Sequence, residues 1–222
     1  SGVMLSDAID EVPSAISAWI KVSPDKPDSL HIGTIIGNKE RGGRSGSYMI
    51  TELNTFSVEI ASGGRPKFSW KVSQTQRATF IVENVDVRTG NWLNLAFVRD
   101  VQAGSVACYI DGVKVAEKFV APADIADFAL TEGLIIGSDY TDNDILAYGF
   151  SPQFKGHIAD VKLYSKALTA QQLLGSLIDG QNDGLICRVK FSEGEDVYYE
   201  DGLARDYWAW LENGSQNLRL GD

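Results

Sequence analysis

The chain is poor in the residues that build metal and redox sites. Of its 222 residues two are histidine, His31 and His157, and two are cysteine, Cys108 and Cys187. Neither a C-x-x-C pair nor a His/Cys cluster exists, which argues against a zinc site. Both cysteines lie in strand-like runs, SVACYID and GLICRVKF, and read as small buried apolar side chains. A single disulfide between neighbouring strands is the alternative that spacing leaves open. Positive charge is short as well: 20 Lys and Arg stand against 30 Asp and Glu, a net charge of −10. That balance argues against nucleic acid, whose phosphates demand a basic patch, and against an anionic membrane surface. It leaves room for calcium or for a neutral ligand such as a sugar. No apolar run approaches the length of a bilayer span, and no charged n-region with an apolar h-region opens the chain. Membrane insertion is not expected. The G-x-S-x-G, H-E-x-x-H and phosphate-loop signatures are missing too.

What the chain does have is strand after strand. Residues 86–118 read as a meander: WLNLAFV, a polar turn, VACYI, an Asp111-Gly112 turn, and VKVAEKF. Asp-Gly between alternating strands predicts a type I′ hairpin, because both central residues need positive φ. Such a meander needs a second sheet to bury its apolar face. Further strand-like runs fall at 15–22, 33–37, 47–51, 56–61, 67–71, 78–83, 134–137, 156–164 and 185–191. In SAISAWIKV, Ile16, Ala18 and Ile20 point one way and Ala15, Ser17, Trp19 and Lys21 the other. Many short strands with regular turns predict an all-β sandwich of two antiparallel sheets. One short helix is expected after Thr169, an N-cap with Gln172 at the capping-box position and Leu173, Leu174 and Leu177 as its apolar stripe. It is expected to pack on an end of the sandwich. The segment 185–222 is too short to bury a core alone, so a single domain over 1–222 is expected, with that segment completing the same sandwich.

Four stretches carry a resemblance to the concanavalin A-like lectin/glucanase superfamily, and within it to laminin-G-like jelly-roll domains. They are PSAISAWIKV, the pair RTGNWLNLAFVRD and ACYIDGVKV, then GLIIGSDY, and FKGHIADVKLYSKALTAQQL. Together they cover roughly residues 14–178. A fifth, GLICRVKFSEGEDVYYEDG, resembles the opening strand of such modules, here near the C-terminus. The resemblance implies a concanavalin A-like jelly roll, and a bacterial, extracellular or cell-surface setting alongside other domains of the same polypeptide. It also implies a structural calcium ligated by Asp160 in IADVKLY, with a carbonyl at Gly37 as partner. Retaining glycosidases of this fold carry an E-x-D-x-(x)-E strand that sets two carboxylates beside the sugar. No such strand exists here; Glu193 and Glu195 lie in a Gly-containing turn. The chain is therefore not expected to be an enzyme.

The expected function is a non-catalytic carbohydrate-binding or adhesion module, a lectin-like reader of a glycan. A protein-interaction or spacer domain without a sugar site is the alternative, and a glycoside hydrolase of the same fold comes third. Trp19 and Trp92 are assigned to the core. Trp70, flanked by Ser69 and Lys71, reads either as a ring for stacking on a sugar or as packing against its neighbouring strand. The loop 38–46 offers Lys39 and Arg41 to an acidic sugar, or is a surface hairpin. The loop 137–150 offers Asp139, Asp142, Asn143 and Asp144 for sugar hydroxyls or as oxygen ligands to calcium, and Tyr140 and Tyr148 for stacking, or is a solvated acidic loop.

Overall fold

The computed structural model describes residues 3–5, 12–30, 32–38, 56–73, 76–125, 134–137, 154–177, 183–191, 198–199, 208–210 and 217–219. The strands in chain order are β1 (Val3–Leu5), β2 (Ala15–Lys21), β3 (Gly33–Asn38), β4 (Phe56–Ile60), β5 (Pro66–Lys71), β6 (Arg77–Ile81), β7 (Trp92–Asp100) and β8 (Ser105–Ile110). They continue as β9 (Val113–Phe119), β10 (Leu134–Ile136), β11 (His157–Tyr164), β12 (Leu185–Lys190), β13 (Tyr198–Tyr199), β14 (Trp208–Trp210) and β15 (Asn217–Arg219). One α-helix, α1, is described at Ala170–Leu177. The strands form an eight-stranded sheet, β15-β14-β1-β10-β3-β4-β5-β6, and a seven-stranded sheet, β13-β12-β11-β2-β7-β8-β9. Every pairing is antiparallel. The architecture is an all-β jelly-roll sandwich. Among the described residues no helix is long and apolar enough to cross a membrane.

Period-two alternation builds the core. Ile16, Ala18 and Ile20 of β2, Leu93, Leu95 and Phe97 of β7, and Phe56, Val58 and Ile60 of β4 face the space between the sheets. Phe68 of β5 stacks on Phe97 of β7 with ring centroids 5.5 Å apart, and Phe80 of β6 meets Phe97 edge-on at 6.1 Å. These contacts tie one sheet to the other. The hairpin turn between β8 and β9 is as expected, with φ of 49° at Asp111 and 77° at Gly112. The strand expected at 47–51 lies outside the described residues.

The capping box forms: Gln172 N donates to Thr169 Oγ1 at 3.3 Å, and Thr169 N donates to Gln172 Oε1 at 2.9 Å. The placement of the helix differs from the expectation. α1 lies on the outer face of the seven-stranded sheet, where Leu173 packs with Leu168, Ala15, Ala96, Val98, Ala107, Tyr109 and Tyr164. The small outward residues of β2, β7 and β8 leave room for it there. Leu174, assigned to the apolar stripe, is 49% exposed. Both cysteines are free and buried. β8 and β12 are separated by β7, β2 and β11, so a disulfide between neighbouring strands does not arise. Burial alone pushes the Cys108 thiol far up.

Candidate functional site

Trp70 does not stack on a ligand. Phe68 and Trp70 share the inward parity of β5, and Trp70 is 2% exposed. Its ring lies 5.3 Å from that of Phe68, and its Nε1 donates to the Asp124 carbonyl at 2.6 Å. Trp92 is corrected in the opposite sense. Leu93, Leu95 and Phe97 take the inward positions of β7, which sends Trp92 outward at 45% exposure. Trp19 shares the outward face of β2 and is half-buried.

The calcium reading of Asp160 does not fit the geometry. A bulge in β11 falls at Asp160, which takes a φ of 45°. Its two carboxylate oxygens accept from Arg188 Nε at 2.5 Å and Nη2 at 2.9 Å, a bidentate pair. Lys162 Nζ stands 3.3 Å away. Two cations already neutralise the carboxylate, and a divalent ion there would meet both. Gly37 belongs to the other sheet, on β3. Among the described residues no three His, Cys, Asp or Glu side chains gather where an ion could sit.

Lys39, Arg41, Asp139, Tyr140, Asp142, Asn143, Asp144 and Tyr148 lie outside the described residues. The strands that carry their loops are described. β3 pairs antiparallel with β10, Ile36 opposite Ile136 and Asn38 opposite Leu134. The C-terminal ends of β3 and β10 therefore lie at opposite ends of this strand pair.

A polar cleft of about 470 Å³ opens where three connections meet, lined by Asp28, Ser29, Ser62, Gly63, Arg65 and Arg88. Asp28 and Ser29 come from the β2–β3 connection, Ser62 to Arg65 from a 3-10 turn after β4, and Arg88 from the β6–β7 connection. Arg88 fastens them. Its Nε and Nη2 donate to Asp86 at 2.9 and 2.7 Å, its Nη1 donates to the Lys26 carbonyl at 2.7 Å, and Asp28 Oδ1 lies 2.6 Å from Nη2. The hydrogen bond from Arg88 holds the Asp86 carboxyl below its ordinary range, and Asp86 raises the Arg88 guanidinium in turn. Gly63 N donates to the Asp28 carbonyl at 2.8 Å, and Val87 N donates to the Gly64 carbonyl at 3.0 Å. Gly64 has a φ of 68°, and a Cβ there would stand 2.0 Å from Asp86 Oδ1, so only glycine fits. Arg65 donates to the Ser62 carbonyl and pairs with Glu83.

None of these cleft residues was singled out from the sequence. The available signals were the Gly63-Gly64 turn and the Asp86-x-Arg88 spacing, which sets an acid and a base on one side of extended chain. The partners from residues 26–28 carry no local signal.

The outer face of the eight-stranded sheet holds a second polar group. Ser57 Oγ donates to Glu59 Oε1 at 2.6 Å, Lys67 Nζ donates to Glu59 Oε2 at 2.9 Å, and Arg77 Nη2 donates to Ser57 Oγ at 2.9 Å. Ser69 and Thr79 share a hydrogen bond of 3.2 Å on the same face. Glu59 is the one carboxylate on β3 to β6, and it is salt-bridged. Retaining glycoside hydrolysis needs two carboxyl groups about 5–5.5 Å apart. The described residues of this face do not supply the second.

No curated protein matches the chain. Solved structures share its fold at low identity. A Bacteroides ovatus protein provisionally named as carbohydrate-binding superposes with a TM-score of 0.55 at 18% identity, covering 91% of this chain and 54% of that one. The chain thus spans about half the length of that protein. The CBM40 of the Ruminococcus gnavus IT-sialidase, bound to alpha2,3 sialyllactose, gives 0.53 at 13% identity, over 78% of this chain and 91% of that one. The SAP-like pentraxin of Limulus polyphemus gives 0.51 at 15% identity, over 90% and 86%. The laminin-G family profile matches residues 3–174, most of the chain, and with the two-sheet jelly roll this places the protein in the concanavalin A-like lectin/glucanases superfamily.

Proposed function

We propose that the protein is a non-catalytic carbohydrate-binding module and that a saccharide seats in the cleft between Arg65, Arg88, Asp28, Ser29 and Ser62. The observation that carries this reading is the pre-organised polar lining. Arg88 is held by Asp86, Asp28 and the Lys26 carbonyl, so the walls need not be ordered on binding. The Ser29 and Ser62 hydroxyls and the free edge of Arg65 supply the donors and acceptors that sugar hydroxyls match. The solved carbohydrate-binding relatives support the class of ligand. On this reading the module serves adhesion or targeting for a larger secreted or cell-surface bacterial protein. A glycan array followed by calorimetry tests it. Ser62→Ala and Arg65→Ala should each weaken a confirmed saccharide by about tenfold, the equivalent of one hydrogen bond. Unchanged affinity in both variants would move the site elsewhere. Release of reducing ends from a polysaccharide by the isolated chain would overturn the non-catalytic reading.

The edge strand β9 favours a second reading, a protein-interaction domain. Val113, Val115 and Phe119 are 64%, 40% and 74% exposed, and among the described residues β9 pairs with β8 alone. An open edge of this kind accepts an added strand. A blank glycan array combined with tight binding to other domains of the same polypeptide would decide for it.

A further inference from the structure

α1 covers part of the outer face of the seven-stranded sheet, over Ala96, Ala107 and Tyr109 and up to the β8–β9 turn, where Leu174 lies against Gly112. The residues under the helix include Ala15 at the start of β2 and Val98 and Tyr164 near the ends of β7 and β11. At the other end of the same strands Lys21 pairs with Trp92 on one side and with His157 on the other. Opposed residues of antiparallel strands send their side chains to one face, so the three form a row, His157–Lys21–Trp92. The outer two strands of such a triple lie about 9–10 Å apart. The Trp92 and His157 rings are closer, with centroids at 6.2 Å and planes at 58°, so they lean toward each other across β2. One register step along, Trp19 stands between Asn94 and the short Ala159. The Ser17–Asn94 hydrogen bond, 3.0 Å from Asn94 Nδ2, and the Asn94 N–H donated to Asp111 Oδ1 at 2.7 Å close off the polar groups on the helix side. No described acid pairs with Lys21 or His157.

We propose that this row is a second glycan-contact surface, separate from the cleft, that takes a pyranose bearing a carboxylate or sulfate. An exposed indole beside an unpaired lysine matches the two halves of such a sugar. The apolar face of the ring covers Trp92, and the anionic substituent meets Lys21 Nζ, with the His157 edge as a further donor. The surface is an open sheet face rather than a groove, which suits one or two sugar units and weak binding. An unpaired lysine between two rings is a local cationic spot on a chain of net charge −10, which selects an isolated anionic group rather than a dense polyanion.

The test titrates the full chain with three probes: a galacturonate trisaccharide, a chondroitin sulfate disaccharide and neutral galactotriose. Tryptophan fluorescence and calorimetry are read together. The expected result is binding of the carboxylated or the sulfated probe, the stronger of the two naming the substituent, with galactotriose at least fivefold weaker. Trp92→Ala should weaken the anionic probe by about tenfold, and Trp92→Phe should restore most of it. Lys21→Ala should remove both the preference over galactotriose and the salt dependence. Arg65→Ala, in the cleft, should leave this binding intact. The proposal falls if neither anionic probe binds at millimolar concentration, if Trp92→Ala binds as the parent does, or if the preference survives Lys21→Ala.

Discussion

Trp70 and Trp92 sit in similar sequences, PKFSWK and GNWLNL, and do opposite things. Trp70 is the last inward residue of β5, sealed at 2% exposure with its indole N–H on the Asp124 carbonyl. Trp92 is the first residue of β7 and stands on the outer face at 45% exposure. Neither hydrophobicity nor local propensity separates them. Parity does: Phe68 shares the face of Trp70, whereas Leu93, Leu95 and Phe97 occupy the face opposite Trp92. The lesson is that an aromatic residue in this sandwich is assigned by counting along its strand from a residue already known to be inside. A large ring next to polar neighbours is not thereby exposed, and one that opens an apolar strand is not thereby buried.

Paired substitutions test this contrast. The largest effect is expected for Trp70→Ala, which removes a fully buried ring and orphans the Asp124 carbonyl; a loss of about 3–5 kcal/mol in denaturant-unfolding stability is predicted. Trp92→Ala should cost less than about 1 kcal/mol in the same measurement. Near-equal losses would mean that the two rings share one environment after all.

The next effect concerns Asp160, which like Trp92 is an outward feature, but an enclosed one. Arg188 is 6% exposed and loses its bidentate partner in Asp160→Ala. A cost of about 2–3 kcal/mol is predicted, below the figure for fully buried pairs because Asp160 keeps 20% exposure. Melting of the parent, stripped of metal, should be indifferent to calcium and to chelator. A calcium-dependent rise in Tm that disappears in Asp160→Ala would restore the metal reading.

Gly64→Ala should cost about 1–3 kcal/mol, since it imposes strain at positive φ and drives a methyl into the Asp86 carboxylate. Its second signature is a weakened cleft, read as lost saccharide affinity with Trp92-dependent fluorescence unchanged.

The smallest effect is electrostatic. Arg88 lowers the Asp86 carboxyl in the folded state, so this pair stabilises fully above the unfolded carboxyl value of about 3.9 and loses its contribution as pH falls through the lower folded value. Asp86 is 49% exposed, so solvent screening limits the contribution to a few tenths of a kcal/mol, about 0.2–1 at most. Unfolding of the parent and of Asp86→Asn, compared from pH 5 to pH 2, should converge at the acid end.

Much of the fold was legible in the residues. The strands at 15–22, 56–61, 67–71, 92–99, 106–110 and 113–119 sit within a residue or two of where alternation and turns placed them. The Asp111-Gly112 turn and the Thr169–Gln172 capping box formed as their chemistry requires. These features depend on contacts between residues a few positions apart, and such contacts are written in local order. The short strands β1, β14 and β15 went unread because three residues carry no period.

The cleft was not legible, nor was the exposed row. Arg88 reaches the Lys26 carbonyl across 62 positions, and Arg188 reaches Asp160 across 28. Lys21 meets Trp92 and His157 only because β2 is flanked by β7 and β11. Local residue order is enough to specify alternating strands, tight turns and the capped helix at Ala170–Leu177. Which face of each strand turns inward, which connections meet and which charges find partners are set by the folded sandwich. Strand order and register set those outcomes, and they arise from packing two whole sheets together, which no short window of residues contains.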